Sequence, residues 1–235
     1  MTSSSLEGQL LISFSGMDGC GKSTQIENLR LYLSDRGLSV KVLAFWDDVV
    51  VLSRSREGFV RKVYGSEEGV GSPDRPVNRR DKNVRKWYLS LVRHGLYLLD
   101  ALHLVTVIAA ARRSGPDIII MDRYIYDELA NLSLSNPVTT MFVRMIASLV
   151  PQPDIAYLLD AEPEVARARK PEYPLDFLQT YRRAYLNLAR MLGRMTVIQP
   201  LPLPRARCEV ERALARVLYG EAEAAGSPIN TTQSA

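Results

Sequence analysis

Short apolar runs rich in β-branched residues alternate along the chain with longer stretches of helical period, the arrangement expected of a parallel sheet covered by helices. Gln9 to Ser15 predicts the first strand. A glycine-rich turn follows, and Ile26, Leu29, Leu31 and Leu33 supply the apolar residues of a helix from about Lys22 to Asp35, closed by Arg36-Gly37. Val40 to Phe45 predicts the second strand. Residues 46 to 78 hold no sustained strand pattern, and so long a loop in a compact domain is expected to be functional or mobile. Apolar residues at 88, 91, 92, 98, 99, 102, 105 and 108 mark one face of a long helix from about Arg79 to Arg113, stopped by Ser114-Gly115-Pro116.

The third strand, Asp117 to Met121, is a continuous apolar run closed by Asp122, as expected of a central strand buried on both faces. Helical stretches are expected at 126 to 134 and 138 to 149, split at Asn136-Pro137. Ile155 to Leu159 predicts a fourth strand and Met195 to Gln199 a fifth. Between them Pro163 to about Arg169 and Pro174 to Gly193 read as helices around a short charged loop, and 205 to 219 as a last amphipathic helix. The pattern predicts one α/β domain over 9–219, with a flexible 1–8 and a disordered tail from 220 to 235. No internal repeat is visible.

Composition adds mostly exclusions. With 235 residues, 46% of them hydrophobic and 24% charged, the chain suits one buried core rather than a fibre or a disordered protein. The net charge of +4 is spread along the chain rather than gathered in a block, so phosphate-bearing ligands fit and nucleic acid is not an expected partner. Neither a signal peptide nor a membrane span is expected: the most apolar stretch, 91 to 111, is interrupted by Arg93, His94, Asp100 and His103. Cys20 and Cys208 lie far apart and one sits in the glycine-rich turn; a disulfide framework is not expected, and a reducing cytoplasm fits.

The candidate chemistry lies at residues 16 to 24, where Gly16, Gly21, Lys22 and Ser23 fill the pattern G-x-x-x-x-G-K-S/T between a strand and a helix. Glycines let the backbone curl so that its N–H groups face phosphate oxygens, and Lys22 brings a point charge to the β and γ phosphates. Ser23 offers a hydroxyl to Mg²⁺, and the start of the helix adds its dipole. Asp18, Gly19, Cys20 and Thr24 complete the predicted nucleotide-binding segment. Asp122, at the end of the apolar third strand, stands where a second, acidic Mg²⁺ partner is expected, because parallel strands bring their carboxyl ends to one edge. The predicted fold is therefore a three-layer P-loop α/β domain with a five-stranded parallel sheet, binding ATP and Mg²⁺. A Rossmann dinucleotide site is disfavoured, since Thr24 stands at the third-glycine position.

Three segments together resemble the thymidylate kinase family of nucleoside monophosphate kinases. They are Gly16-Met17-Asp18-Gly19-Cys20-Gly21-Lys22-Ser23-Thr24-Gln25, Asp122-Arg123-Tyr124 after a strand, and Glu162-Pro163-Glu164 leading to a charged loop and Tyr181-Arg182-Arg183-Ala184-Tyr185. The resemblance spans most of 9 to 199. It implies that Asp18 lies near the acceptor sugar, that Arg123 bridges donor and acceptor phosphates, and that Asp122 acts near the metal. It further implies that Arg167, Arg169 and Lys170 belong to a lid, about 167–176, that neutralises charge on the transferring group. Kinases of this kind often pair through their long helices, so a homodimer is compatible with it.

The acceptor side departs from the family. Its Pro-Gly-Gly-Thr segment is replaced by Phe45-Trp46-Asp47-Asp48, and the arginine expected on the long helix is replaced by Asp100 and Ala101. Asn131 stands where an aromatic packs beside the deoxyribose, and Asp127 and Glu128 replace small or amide residues. Arg79, Arg80, Arg85 or Arg93 could return a cation from elsewhere on the helix. The sequence thus predicts an intact donor site and an altered acceptor site, with dTMP as the first candidate acceptor. A hydroxyl-bearing nucleoside or sugar, or nucleotide binding without catalysis, is the alternative. Trp46 and Trp87 are candidates for the acceptor pocket or for packing; His94 and His103 lack metal spacing and read as packed helix residues.

Overall fold

The structure, a computed structural model, describes residues 8–51 and 87–224. Five strands, β1 (Leu10–Ser15), β2 (Val40–Ala44), β3 (Ile118–Asp122), β4 (Ile155–Leu159) and β5 (Met195–Ile198), form one sheet in the order β2-β3-β1-β4-β5. Every pair is parallel. Phe14 and Ala44 both stand opposite Asp122, so β1, β2 and β3 deliver their carboxyl ends to one edge.

Helices α1 (Lys22–Ser34), α2 (Trp87–Arg113), α3 (Ile125–Leu129), α4 (Pro137–Leu149), α5 (Pro163–Arg169), α6 (Leu175–Leu192) and α7 (Leu203–Ala224) cover the sheet. Strand period two sorts the core into two halves. Ile12, Phe14, Ile118, Ile120, Tyr157 and Leu159 pack with Leu29 and Leu33 of α1 and Val210 and Leu214 of α7. On the opposite face Leu11, Ile119, Met121, Ala156 and Leu158 pack with Leu104 and Ile108 of α2, Ile146 of α4 and Leu188 of α6.

Several boundaries and faces differ from the pattern-based expectation. β2 ends at Ala44 because Phe45–Val49 winds into a π-helical turn. That turn buries Phe45 and Val49, and the Asp48 carboxylate accepts the Ala44 N–H at 2.7 Å. In α1, Leu31 is exposed, lying off the stripe of Ile26, Leu29 and Leu33. The buried stripe of α2 is Tyr97, Asp100, Ala101, Leu104, Ile108 and Ala111, while Val92, Leu99 and Leu102 are exposed. The helix is apolar nearly all round, so periodicity had little contrast from which to choose a face. By length and composition alone Val92–Arg113 is apolar enough to cross a membrane; here it lays one face on the core. The helix predicted at 126 to 134 is shorter, Ile125–Leu129, and α7 runs through Gly220 to Ala224, past the expected start of the tail. The expectations for residues 1–7, 52–86 and 225–235, including Arg79, Arg80 and Arg85, and for the side chains of Tyr88, Leu91 and Trp87, lie outside the described residues.

Candidate active site

β1 leads into a loop whose backbone only glycine accommodates at its turning points. At Gly19, φ is +83°, and an added Cβ would lie 2.2 Å from the backbone carbonyl oxygen of Ala166 in α5. At Gly16, φ is +142° and the same atom would stand 2.6 Å from the Leu159 carbonyl oxygen. Gly21, also at positive φ, is the N-cap of α1. The loop is therefore pressed between β4, α5 and its own helix, with N–H groups and the α1 dipole presented at the sheet edge.

Lys22 opens α1 and is nearly buried, its ammonium donating to the carbonyls of Gly16 at 2.8 Å and Met17 at 2.9 Å and reaching the Cys20 thiol at 3.7 Å. Burial pushes the Cys20 thiol above its ordinary pKa, although the Lys22 charge works the other way. Ser23 and Thr24 are exposed in the first turn. Asp122 is half-buried at the end of β3, and burial raises its carboxyl above the usual range despite the charges of Lys22 and Arg123. A hydroxyl and a carboxylate are hard oxygen donors of the kind Mg²⁺ takes, with phosphate and water completing its shell. Among the described residues no group of three or more His, Cys, Asp or Glu forms a metal cage.

Arg123 carries the geometry of the site. Its φ of +68° places a non-glycine residue in the left-handed region, at a cost of about 1–2 kcal/mol. The conformation is held at both ends. Its N–H donates to the Phe14 carbonyl at 2.9 Å, and its guanidinium pairs with Asp18 and, at 3.0 Å, with Asp127. Burial disfavours its charge, but the carboxylates of Asp127 and Asp18 outweigh that and keep it charged.

The structure brings Gly16, Asp18, Gly19, Cys20, Gly21, Lys22, Ser23, Thr24, Asp122 and Arg123 to one edge. From α5, Arg169 reaches the Gly19 carbonyl at 3.5 Å, and Lys170 comes within 4.0 Å of Asp18. Arg167 instead lines a surface hollow with Glu164, Ala168, Pro171 and Leu175, none of which belongs to the loop. Asp100, one of the residues that depart from the family pattern, is fully buried and accepts the N–H of Val51 at 2.9 Å. It thereby fixes the chain after β2. Glu128 is also buried, and Asn131 is half-buried, its amide donating to the Asp127 carbonyl. Trp46 is exposed and meets the ring of Phe45 edge-on. His94 packs on Phe142, and the Nδ1 of His103 donates to the Val49 carbonyl at 2.6 Å.

Asp127, in sequence a departure from the family pattern, and Ser15, at the end of β1, both belong to the site. Asp127 is almost wholly buried and accepts from Ser15 Oγ at 2.6 Å, the Tyr124 N–H at 3.1 Å, Arg123 Nη1 at 3.0 Å and Tyr185 Oη at 2.7 Å. Its spacing of four from Arg123 was a readable signal. Ser15 and Tyr185 lie more than 50 residues away, and nothing local announces them.

A parallel sheet with a glycine-curled loop, an invariantly charged arginine at the adjacent strand end and a charged helix over the loop defines a P-loop phosphotransferase. The thymidylate kinase family model matches residues 83–202, just over half the chain. A probable thymidylate kinase of Pyrobaculum aerophilum is 40% identical over 197 residues, covering 77% of this chain and 84% of its own length. A probable thymidylate kinase of Archaeoglobus fulgidus is 29% identical over 215 residues, covering 87% and 94%. The crystal structure of thymidylate kinase from Ehrlichia chaffeensis superposes with a TM-score of 0.54 at 20% identity, covering 88% of this chain and 98% of that one, and supports the fold. The chain belongs to the thymidylate kinase family, and it is a kinase.

Proposed function

We propose that the chain transfers the γ-phosphoryl group of ATP to the phosphate of dTMP, giving dTDP and ADP. The observation that carries this reading is Arg123. A strained backbone holds a permanently charged guanidinium between Asp18 and Asp127, beside the phosphate loop. That is where two phosphates would have to be brought together. An acceptor phosphate oxygen forms the new P–O bond as the bond to the ADP oxygen breaks, through a loose transition state whose charge the protein must meet with positioned cations. Lys22 and the loop N–H groups hold the donor phosphates, Arg123 aligns donor and acceptor, and Arg169 and Lys170 bring charge from α5 and its end. Arg167, on the same helix, adds to that charge. Ser23 and Asp122 would hold Mg²⁺, which supplies charge neutralisation on the phosphates when bound. Free, buried Cys20 in the loop suits a reducing cytoplasm, and the exposed Val92, Leu99 and Leu102 on α2 suit pairing of two copies.

A second reading, transfer to an uncharged hydroxyl of a nucleoside or sugar, draws on Asp100 and Glu128, two buried carboxylates on the acceptor side. Negative charge there opposes an anionic acceptor. ADP release with ATP and Mg²⁺, measured against dTMP, other nucleoside monophosphates, nucleosides and sugars with Lys22→Ala as the blank, separates the two. Activity led by dTMP supports the first reading. Activity led by an uncharged acceptor overturns it in favour of the second, and no acceptor-dependent release overturns both.

A further inference from the structure

Four hydrogen bonds converge on a single carboxylate that has almost no contact with solvent. One oxygen of Asp127 takes the Ser15 hydroxyl and the Tyr124 N–H, and the other takes Arg123 Nη1 and the Tyr185 hydroxyl. The two oxygens face different parts of the molecule. The first ties the start of α3 to the end of β1, which is a structural duty. The second holds the guanidinium that spans toward Asp18 and, at 3.5 Å, the Gly16 carbonyl of the phosphate loop.

Tyr185 supplies the link to the lid. It lies on α6, and the rings of Tyr173, Phe177, Tyr181 and Tyr185 succeed one another at centroid spacings of 5.1, 5.7 and 4.6 Å. Tyr173 belongs to the charged loop before α6, and the Tyr181 hydroxyl lies 3.0 Å from that of Tyr185. A packed aromatic row thus runs from the lid loop to the hydroxyl that donates to Asp127. Desolvation and the Asp127 charge both keep that hydroxyl protonated, so it stays a donor.

We propose that Asp127 is a positioning residue for phosphoryl transfer: with the Tyr185 hydroxyl it fixes the Arg123 guanidinium toward the phosphate loop. The proposal rests on the kinase reading of the site. The alternative is that Asp127 serves only the fold, as an acceptor at the start of α3. The two are separable because of what an amide can and cannot do in its place. Asparagine keeps the shape but has one acceptor oxygen and one NH₂ donor. The Ser15 and Tyr185 hydroxyls can rotate to accept, whereas the Tyr124 N–H and the Arg123 guanidinium can only donate. An amide at 127 must therefore point its NH₂ at one of those two. With its oxygen kept on the Tyr124 N–H, the helix start survives and the Arg123 guanidinium loses one of its two carboxylate partners, keeping Asp18 alone.

The test compares Asp127→Asn and Tyr185→Phe with the parent full-length chain. The first readout is steady-state kinetics with ATP, Mg²⁺ and the best acceptor. Displacing a reacting or orienting group by about 1 Å costs up to about 100-fold, so Asp127→Asn is expected to lower kcat by about 30- to 100-fold. The KM for ATP should stay within about twofold and the melting temperature should remain near that of the parent. Tyr185→Phe should lower kcat less, in the same direction. The second readout is ¹⁵N NMR of the Arg123 guanidinium, assigned by its loss in Arg123→Lys, which needs no acceptor. Slow-exchanging Nη protons in the parent should broaden or exchange faster in both variants. Unchanged Arg123 signals overturn the proposal whatever the kinetics. An unchanged kcat, or a kcat that falls only in step with melting temperature and KM, does so too. Should the parent release no ADP with any acceptor, the kinase reading fails, and the NMR readout still decides whether Asp127 holds Arg123.

Discussion

Gly19 is a free position in the phosphate-loop pattern, yet the folded chain leaves it no room for a side chain. In Gly19→Ala the new methyl would meet the Ala166 carbonyl oxygen at 2.2 Å, the Ala166 carbonyl carbon at 2.9 Å and its Cα at 3.1 Å. All three belong to the backbone of α5, so no rotamer change relieves the contact. Ordinary contact begins near 3.4 Å, and α5 and the loop must therefore part by roughly 1 Å or the loop must change its path. Holding alanine at a φ of +83° adds about 1–2 kcal/mol for the left-handed backbone alone. At about 2–4 °C per kcal/mol for a domain of this size, the strain term lowers the melting temperature by about 2–8 °C. The same parting moves Arg169 from the loop carbonyl that it reaches at 3.5 Å, and a shift of that size costs about 100-fold in rate. Thermal unfolding and coupled ADP-release kinetics measure the two effects on one preparation. An alanine variant with parental melting temperature and parental kcat would refute the argument that α5 is seated on Gly19.

Lys22→Ala should abolish most activity, about 100- to 1,000-fold in kcat/KM, while leaving the fold intact by circular dichroism. Retained turnover would remove Lys22 from the donor site. The hydroxyl of Tyr157 donates to the Val210 carbonyl at 2.7 Å and ties β4 to α7; Tyr157→Phe should cost about 1 kcal/mol, read as a lower urea midpoint at unchanged slope. Alkylation by iodoacetamide should reach half-buried Cys208 before buried Cys20, as followed by peptide mass spectrometry. For Cys20 the sign is fixed by burial: its thiol pKa is raised on folding, so above about pH 8.5 the native state holds a proton that the unfolded state has lost. Stability from this group therefore falls as pH rises through that range, and Cys20→Ser should flatten the decline in denaturation midpoint measured from pH 8 to 10.

Much of the fold was legible because each strand is bounded locally. Ile118-Ile119-Ile120-Met121 is apolar on both faces and closed by Asp122, which marks a central strand wherever it occurs. Ile155–Leu159 and Pro163–Arg169 were likewise readable residue for residue. Errors arose where local signals lacked contrast. α2 is apolar on most sides, so its buried stripe of Tyr97, Ala101, Leu104 and Ile108 emerged only when the helix met the sheet. Phe45 continues a strand-like pattern but turns into the π-helical segment, because Asp48 accepts the Ala44 N–H.

The candidate site divides in the same way. Gly16, Gly21, Lys22, Ser23 and Asp122-Arg123 are readable in one dimension, because a phosphate loop and a strand end are each made by consecutive residues. By itself the sequence determined the α/β layering, the donor-phosphate loop and the family resemblance. Only the tertiary structure decided that Gly19 must lack a side chain, that Arg169 reaches the loop carbonyl of Gly19, and that Asp127 gathers Ser15, Arg123 and Tyr185. The physical reason is range. Backbone dihedrals, strand period and loop motifs are local and leave a trace in neighbouring residues, whereas steric exclusion and hydrogen bonding to a buried carboxylate depend on groups that only folding brings together.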